Sequence, residues 1–317
     1  MNTEPVFEDI LKAHERVRGL IHKTPVLTSR AVDRLCGAHL FFKCENLQKA
    51  GAFKIRGATN AVFSLTDKEA AKGVATHSSG NHAAAIALAA SWRSVPSYVV
   101  MPDNSPKVKV RAVSEYGARI TFCKPTLDER EKTLDKVIQA TGAAFIHPYN
   151  DIRVICGQGT AGLELCREIS KLDVVLTPVG GGGLLSGTAV AVSTSSPGTR
   201  IIGAEPMGAD DAFRSLQAGE IIPVGNPQTI ADGLRTSLGD ITFPIISSLV
   251  KEIITVSEEG IVEAMRTIWE RMKIIVEPSS AVPLAAVLKQ KADFAGKRIG
   301  IILSGGNVDL GRLPWCK

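Results

Sequence analysis

The chain has 317 residues, of which 44% are hydrophobic and 22% are charged, a composition typical of globular proteins that bury a large core. The formal net charge is only +5 and the basic residues are spread along the sequence, so the composition does not indicate binding to nucleic acid. No run approaches the roughly 18 apolar residues of a membrane span, and the acidic N-terminus lacks the order of a signal peptide. We therefore expect a cytoplasmic protein without nucleic-acid or membrane partners.

The cysteines do not indicate a disulfide framework or a zinc site. Six are present, with no C-x-x-C pair and no close grouping with histidine. We expect them to be reduced thiols, as is usual for proteins of the cytosol.

The first 66 residues predict two helices that flank an extended segment, followed by a strand and a further helix. Apolar spacing predicts a helix over 5–20. Pro25 disfavours helical backbone at Thr24, so the segment 22–28 is expected to be extended. The remaining predicted elements of this part are a helix over 31–36, a strand over 40–43 and a helix over 55–65.

From residue 73 onward, short β-rich runs alternate with helical patterns, which predicts an α/β fold with parallel sheets and right-handed crossovers. Up to residue 148 the predicted elements are strands over 74–76, 97–101 and 119–123, and helices over 83–92, 107–116 and 127–139. Beyond it they are strands over 174–177, 200–204, 253–256 and 299–303, and helices over 158–169, 184–192, 258–272 and 279–290. We predict a large lobe of residues 1–66 plus 149–317, a small lobe of residues 67–148 inserted in it, and a ligand site in the cleft between them.

One lysine stands at the junction between a predicted strand and a predicted helix. The strand over 40–43 gives way to a loop that passes through Gly51, and Lys54 comes just before the helical pattern of 55–65. An amine held there partly out of water has a lowered pKa, so it can attack an aldehyde and later act as a base. The alternative is that Lys54 is an ordinary solvated charge, one of 37 basic residues.

A glycine loop joins the predicted strand at 174–177 to the following helix, and it consists of Gly180, Gly181, Gly182 and Gly183. Backbone N–H groups free of side chains can converge on an anion, and a helix N-terminus adds positive dipole, so the loop predicts a phosphate site. Ser186 stands where the third glycine of a dinucleotide fingerprint should fall, and no Walker lysine follows. A smaller phosphate ester fits better, and a flexible turn is the alternative.

Two further turns place small polar residues at strand ends. The segment 78–82, Ser-Ser-Gly-Asn-His, lies between a predicted strand and an alanine-rich helix, and Ser304 ends the last predicted strand. Loops in this position of α/β units commonly carry function. Taken singly, the first segment is equally well explained as a helix cap and the second as a common turn.

Together, a lysine suited to an aldehyde, a phosphate loop, an asparagine turn and a serine at a strand end indicate pyridoxal 5′-phosphate as ligand. The sequence resembles the β-family, or fold type II, of enzymes that use this cofactor, and within it the serine racemase and serine/threonine dehydratase branch, above all plant-type serine racemases. The resemblance implies a fold like that of tryptophan synthase β. The segments that carry it are 24–28, Lys54, 78–82, 147–151, 157–160, 180–183, 204–211, 231–233, 277–278 and 304–310.

The resemblance implies a role for each matching residue. Lys54 would bind the cofactor covalently and act as a base on one face of the substrate Cα, and Ser79 would act on the opposite face. Asn81 would bond to the ring hydroxyl and Ser304 would meet the pyridine nitrogen. The further residues that it implies are Phe53, Gly180, Gly181, Gly182, Gly183 and Leu184 for the cofactor, and Ser78, Ser79, Asn81 and His82 for the substrate.

The resemblance also implies a divalent-cation site. Glu205 and Asp211, with the backbone carbonyl of Ala209, match the ligands of this branch. Oxygen-only ligands suit magnesium, calcium or manganese rather than zinc. Without the resemblance, these acidic residues would be interpreted as part of a solvated loop.

One departure from the family pattern bears on the substrate, because Ala52 stands where many members have a serine that helps to seat the substrate carboxylate. The preferred hydroxy amino acid is therefore left open. A nucleotide-effector site of the racemases is matched in part, with Ala84 in place of a polar contact, so ATP is a secondary expectation. The matching residues are Lys49, Tyr116, Lys273 and Asn307.

The predicted function is the racemisation of L-serine to D-serine, together with α,β-elimination of serine to pyruvate and ammonia, by an enzyme expected to be a homodimer. The alternative within the same fold is a dehydratase of L-threonine or 3-hydroxyaspartate. A rival from another class is a non-catalytic protein that binds a nucleotide or phosphate through the glycine loop.

Overall fold

A computed structural model describes residues 4–78, 80–105 and 107–315. Its strands are β1 (Val26–Leu27), β2 (His39–Cys44), β3 (Val74–His77), β4 (Ser97–Pro102), β5 (Arg119–Cys123), β6 (Ala144–Phe145), β7 (Val174–Pro178), β8 (Arg200–Pro206), β9 (Glu252–Val256) and β10 (Arg298–Leu303). They form a six-stranded sheet in the order β1-β2-β10-β7-β8-β9 and a four-stranded sheet in the order β5-β4-β3-β6.

Helices surround both sheets. They are α1 (Phe7–Val17), α2 (Arg30–Cys36), α3 (Lys54–Ser64), α4 (Asp67–Ala70), α5 (Asn81–Arg93), α6 (Lys107–Glu115), α7 (Leu127–Thr141), α8 (Ile152–Glu168), α9 (Gly183–Ser195), α10 (Asp211–Ala218), α11 (Thr242–Leu249), α12 (Glu258–Met272), α13 (Pro278–Lys289) and α14 (Lys291–Phe294). None of the helices described is both long and apolar enough to cross a bilayer.

The strand pairing confirms the predicted α/β fold with parallel sheets. Every pair in the four-stranded sheet is parallel, and in the six-stranded sheet only the short edge strand β1 runs antiparallel to its neighbour, β2. Parallel strands need crossovers, and the intervening helices supply them. The carboxyl ends of neighbouring strands consequently meet at one edge of each sheet.

The six-stranded sheet is buried on both faces, which explains why its strands are almost continuously apolar. Val174 and Leu176 of β7 belong to a core with α12 and α13. Val175, on the opposite face, packs in a second core with α9, as the two-residue period of a strand requires.

Glycines bring three helices behind the sheet into close contact. A Cβ at Gly157 of α8 would lie 2.5 Å from the carbonyl oxygen of Arg56 in α3. Similarly, a Cβ at Gly187 of α9 would lie 2.3 Å from the carbonyl oxygen of Ile155 in α8. Any larger residue would push the helices apart, so α3, α8 and α9 form a tightly spaced layer.

The structure differs from the predicted elements in a few places. Helix α8 begins at Ile152 and not at 158, because the Asp151 side chain accepts a bond from the N–H of Arg153 and so caps the helix six residues earlier. The short helices α4, α10, α11 and α14 and the short strand β6 were not predicted. The strands of the four-stranded sheet all fall between residues 74 and 145. The predicted lobe bounds, residues 1–66 plus 149–317 and residues 67–148, stay a prediction.

Candidate active site

The predicted site residues lie where strands end and helices begin. Lys54 is the first residue of α3, Gly183 the first of α9 and Asn81 the first of α5, while Ser304 directly follows β10. Ligands of open α/β sheets bind at the carboxyl ends of the strands. Ser79 lies outside the described residues.

The Lys54 amine is placed for nucleophilic chemistry. Its Nζ donates a hydrogen bond to the carbonyl oxygen of Pro148 at 2.9 Å. Although part of the side chain is open to solvent, the surrounding protein desolvates the amine and lowers its pKa to about 8, against the opposing effect of the Glu277 carboxylate. Desolvation disfavours the ammonium form, so a much larger fraction of this amine is neutral and nucleophilic near neutral pH than of a solvated lysine.

Backbone contacts fix Lys54 beside Ser304. The N–H of Phe53 donates to the carbonyl oxygen of Ser304 at 2.9 Å, and Ala52 forms an antiparallel bridge with Gly305. Ser304 is 3% exposed. The amine and the buried serine are therefore held to each other through the main chain.

The glycine loop forms a cradle that side chains would fill. A Cβ at Gly181 would lie 2.3 Å from Cγ of Tyr149, whose ring covers this glycine. Gly182 has a φ of +88°, which favours glycine, and a Cβ there would lie 2.8 Å from Thr242. Thr242 Oγ1 also donates to the carbonyl oxygen of Gly181 at 2.9 Å. The loop is thus shaped and held for an anion at the N-terminus of α9.

Asn81 is held by two residues from the other end of the chain. Its Nδ2 donates to both carboxylate oxygens of Glu277 at 3.0 and 3.1 Å, and its Oδ1 accepts a bond from Asn307 Nδ2 at 3.0 Å. Burial raises the pKa of Glu277 to about 7, and the nearby Asp232 carboxylate adds to this effect. The predicted partner of Asn81, a ring hydroxyl, would bind beside this pair.

Glu277 is a site residue that sequence reasoning did not assign. Its carboxylate influences the pKa of Lys54 and contacts Asn81. The one signal in the sequence is the Glu-Pro dipeptide at 277–278, because Pro278 begins α13 and leaves the acid just ahead of a helix.

The other predicted substrate residues lie near the same edge. Ser78 follows β3, and its hydroxyl accepts a bond from the N–H of Gly80 at 3.2 Å. His82 is 2% exposed, and its Nε2 lies 3.4 Å from the carbonyl oxygen of Ile146. Burial, with the Lys54 charge, keeps the pKa of His82 well below its usual value, so the ring is neutral. Leu184 packs in a small apolar cluster with Phe53.

An ion pair near the site joins helix α6 to the turn that begins at Asp232. Lys109 of α6 lies 2.5 Å from the carboxylate of Asp232, and the neighbouring Gly233 approaches Gly180 of the glycine loop. Helix α6 packs on β4 through Val110 and Val113. The pair therefore connects the four-stranded sheet to the surroundings of the glycine loop.

These residues fit pyridoxal 5′-phosphate. The partly neutral Lys54 amine suits its aldehyde, the cradle of the glycine loop suits its phosphate, and Asn81 and Ser304 are polar groups suited to its ring. The sequence matches the family described as pyridoxal-phosphate dependent enzyme over residues 17–305. Because this match spans most of the chain, the protein belongs to the family of pyridoxal-phosphate dependent enzymes.

Individual relatives are similar over nearly the whole chain. The β-hydroxyaspartate dehydratase of Paracoccus denitrificans (strain Pd 1222) is 54% identical, covering 98% of this chain and 99% of its own length. A serine racemase of Dictyostelium discoideum is 52% identical, with 96% and 95% covered. Among solved structures, maize serine racemase superposes with a TM-score of 0.95 at 48% identity, covering 96% of this chain and 94% of that chain.

Two of the predicted cation ligands lie near the end of β8, since Glu205 is in β8 and Asp211 is the first residue of α10. Glu205 and Asp211 are both buried, and Glu205 accepts bonds from the N–H groups of Ala212 and Phe213. Burial and the Asp211 charge raise the pKa of Glu205 to about 9, and burial raises the pKa of Asp211 to about 7. Ala209, which lies between them in the sequence, is also buried. Among residues 4–78, 80–105 and 107–315, no group of three His, Cys, Asp or Glu side chains is arranged around a common metal position.

Proposed function

We propose that this enzyme racemises serine and also eliminates water from serine to give pyruvate and ammonia. The observation that carries the proposal is the desolvated Lys54 amine at the start of α3, joined through Phe53 and Ser304 to the end of β10. The serine racemases among the relatives, at about half of all positions identical, support the choice of substrate.

The chain's own residues would hold the cofactor and move protons. The backbone N–H groups of the glycine loop would bind its phosphate, and Lys54 would bond to its aldehyde. When bound, pyridoxal 5′-phosphate supplies an electron sink that acidifies the Cα–H bond of an amino acid. Lys54, displaced by the substrate amine, would take that proton on one face. The Lys54 ammonium would give that proton to the β-hydroxyl, which would leave as water. The unsaturated amine released would take up one water and lose ammonia to give pyruvate.

Racemisation needs a second proton donor on the opposite face, and we assign this role to Ser79. Ser79→Ala is expected to lose racemisation while it retains dehydration of L-serine, because removal of the proton from the L-form needs Lys54 alone. Both products, D-serine and pyruvate, are measured from L-serine, with Ser91→Ala, which changes an exposed serine of α5, as the control. Equal retention of the two activities in Ser79→Ala would contradict the assignment.

A second candidate is dehydration of 3-hydroxyaspartate, which the Paracoccus relative favours at 54% identity. Ala52 bridges Gly305 beside the site and offers no hydroxyl to a substrate carboxylate, so it does not favour serine over 3-hydroxyaspartate. Turnover of L-serine, L-threonine and 3-hydroxyaspartate under identical conditions decides between the candidates. A kcat/KM for 3-hydroxyaspartate far above that for serine would make dehydration of the former the main function.

We also propose a divalent cation, magnesium, calcium or manganese, held by Glu205, Asp211 and the carbonyl of Ala209. Two buried carboxylates in one neighbourhood repel each other, and a cation bound between them would remove that repulsion. Removal of cations with a chelator is expected to lower the melting temperature and magnesium to restore it, while Asp211→Asn should no longer respond. An unchanged melting temperature in the unmodified enzyme would exclude the site.

A homodimer, ATP as effector and a cytoplasmic location complete the proposal. Lys49, which lies 4.9 Å above the ring of Trp92, and Asn307, bonded to the carbonyl of Ala50, are two of the residues assigned to ATP. Sedimentation velocity tests the dimer, ATP titration of activity with Lys49→Ala as comparison tests the effector, and imaging of the tagged enzyme in its host tests the location.

A further inference from the structure

A group of four ionised side chains is buried behind α3. We call it the Arg56 cluster, and it consists of Lys43, Glu45, Arg56 and Glu164. Their side chains are between 0% and 6% exposed. Two positive and two negative charges are thus enclosed by the protein with no net charge.

Arg56 lies at the centre of the cluster and uses its whole guanidinium group. Nε and Nη2 donate to the two carboxylate oxygens of Glu45 at 2.6 and 2.9 Å. Nη1 and Nη2 donate to the two oxygens of Glu164 at 2.9 and 2.8 Å, and Nη1 also reaches Thr160 Oγ1 at 3.1 Å. A planar guanidinium that donates two hydrogen bonds to each of two carboxylates fixes its own orientation as well as its distance from them.

The cluster joins the elements that carry the site. Lys43 is in β2 and donates to Glu164 at 2.6 Å, Arg56 is in the first turn of α3, and Glu164 is in α8. Helix α8 in turn contacts α9 through Gly159, where a Cβ would lie 2.6 Å from the carbonyl oxygen of Gly187. The amine and the glycine loop are therefore linked through α3, α8 and α9.

Stability alone does not explain the cluster. Removing an ion from water costs several kcal/mol, and replacing a buried ion pair with apolar residues of similar volume is often neutral or stabilising. The contacts here are strong enough to oppose burial, since Glu45 and Glu164 raise the pKa of Arg56, and Arg56 and Lys43 lower that of Glu164. What an apolar core would not provide is one fixed direction for the first turn of α3.

We infer that Arg56 is a positioning residue, which sets the place of Lys54 Nζ relative to the glycine loop. The two residues are two positions apart in a helix, so their side chains point about 200° apart around its axis at 3.6 residues per turn. Arg56 therefore holds the helix from behind while Lys54 faces the cleft. The inference rests on the proposed role of Lys54.

The test compares two arginines that hold the two ends of α3. Arg56→Lys keeps the charge but loses the fork at the first turn. Arg93→Lys makes the same change at the last turn, where Arg93 donates to the carbonyl oxygens of Val62 and Leu65. For each enzyme, the rate of attachment of pyridoxal 5′-phosphate to Lys54 is followed by borohydride trapping and peptide mass analysis. Competitive labelling of the cofactor-free enzyme gives the pKa of the amine, and melting temperature and steady-state kinetics complete the comparison.

Arg56→Lys is expected to slow attachment and to lower kcat at least about tenfold, since displacement of a reacting group by about 1 Å costs up to about a hundredfold. KM for the amino acid should change less than about twofold, and the pKa of Lys54 should move. Arg93→Lys should lower only the melting temperature. Equal attachment rates and equal kcat in the two variants would overturn the inference.

A milder variant covers the case in which Arg56→Lys does not fold. Thr160→Val keeps the approximate volume and removes one acceptor of Arg56 together with the bond that Thr160 Oγ1 donates to the carbonyl oxygen of Gly157. It should slow attachment about twofold to tenfold, in line with loss of a buried hydrogen bond of Arg56. Attachment at the rate of the unmodified enzyme would then overturn the inference. If the unmodified enzyme carries no label on Lys54, the proposed function fails and the inference with it.

Discussion

The cradle formed by Gly181 and Tyr149 gives a prediction whose size follows from the geometry. In Gly181→Ala the new Cβ would lie 2.3 Å from Cγ and 2.4 Å from Cδ1 of the Tyr149 ring. Because ordinary contacts of a Cβ begin at 3.4 Å, the ring or the loop has to shift by about 1 Å. Overpacking of this kind costs about 1–3 kcal/mol. When the phosphate needs the loop in its unshifted position, binding has to supply this free energy, which corresponds to about 5- to 150-fold in Kd.

The assay is titration of the cofactor-free enzyme with pyridoxal 5′-phosphate and, separately, with pyridoxal. Gly181→Ala is expected to weaken binding of the phosphate ester by that factor and binding of pyridoxal much less, because only the ester occupies the loop. Gly225→Ala is the matched control, since a Cβ at Gly225 meets no atom within 4 Å.

A double variant tests the cause of the effect. In Gly181→Ala combined with Tyr149→Ala the ring is absent, so much of the lost affinity should return relative to Tyr149→Ala alone. The reasoning is refuted if Gly181→Ala binds the ester as tightly as Gly225→Ala, or if removing the ring restores nothing.

Three further predictions concern the charges of the site. In the cofactor-free enzyme, labelling of Lys54 by an aldehyde should increase with pH around a midpoint of about 8, because the neutral amine reacts; a midpoint above 10 would contradict its desolvation. Glu277→Gln should move that midpoint to lower pH, since the carboxylate that favours the ammonium form is gone. A shift to higher pH would contradict the effect assigned to Glu277 on the pKa of Lys54. Lys109→Met should raise KM for the amino acid up to about fivefold, as expected for loss of an ion pair worth about 1 kcal/mol. It should also make KM insensitive to added salt. Unchanged kinetics would show that the contact with Asp232 has no role in binding.

The sequence predicted the architecture because the relevant patterns are local. Alternation of apolar runs and helical periods marked the strands of both sheets except β6, and Pro25 marked the extended segment that contains β1. Helices α10 and α11 have eight residues each and were missed, whereas α2, with seven, was predicted because Gly37 marks its end. The start of α8 was placed too late because Gly157 looks like a helix breaker, whereas in the fold it lets α8 approach α3.

The site was predicted in part for a comparable reason. Lys54 and the glycine loop carry their own signals, namely a charge or a run of glycines between a strand and a helix. Glu277 and the carbonyl of Pro148 act through contacts across 196 and 94 positions of the chain, and no local pattern announces such contacts. The Arg56 cluster was likewise invisible, because four charged residues in a sequence indicate solvent exposure until burial is known.

The hydrogen bond from Lys54 to Pro148 ends on a main-chain oxygen. A main-chain acceptor survives exchange of the residue that bears it, provided that the path of the chain is kept. The position of the amine is therefore little affected by substitution of residue 148. The bond between Asn81 and Glu277, in contrast, depends on the side chains at both positions. Substitutions during evolution can accordingly change the side chains around the substrate more easily than the position of the Lys54 amine.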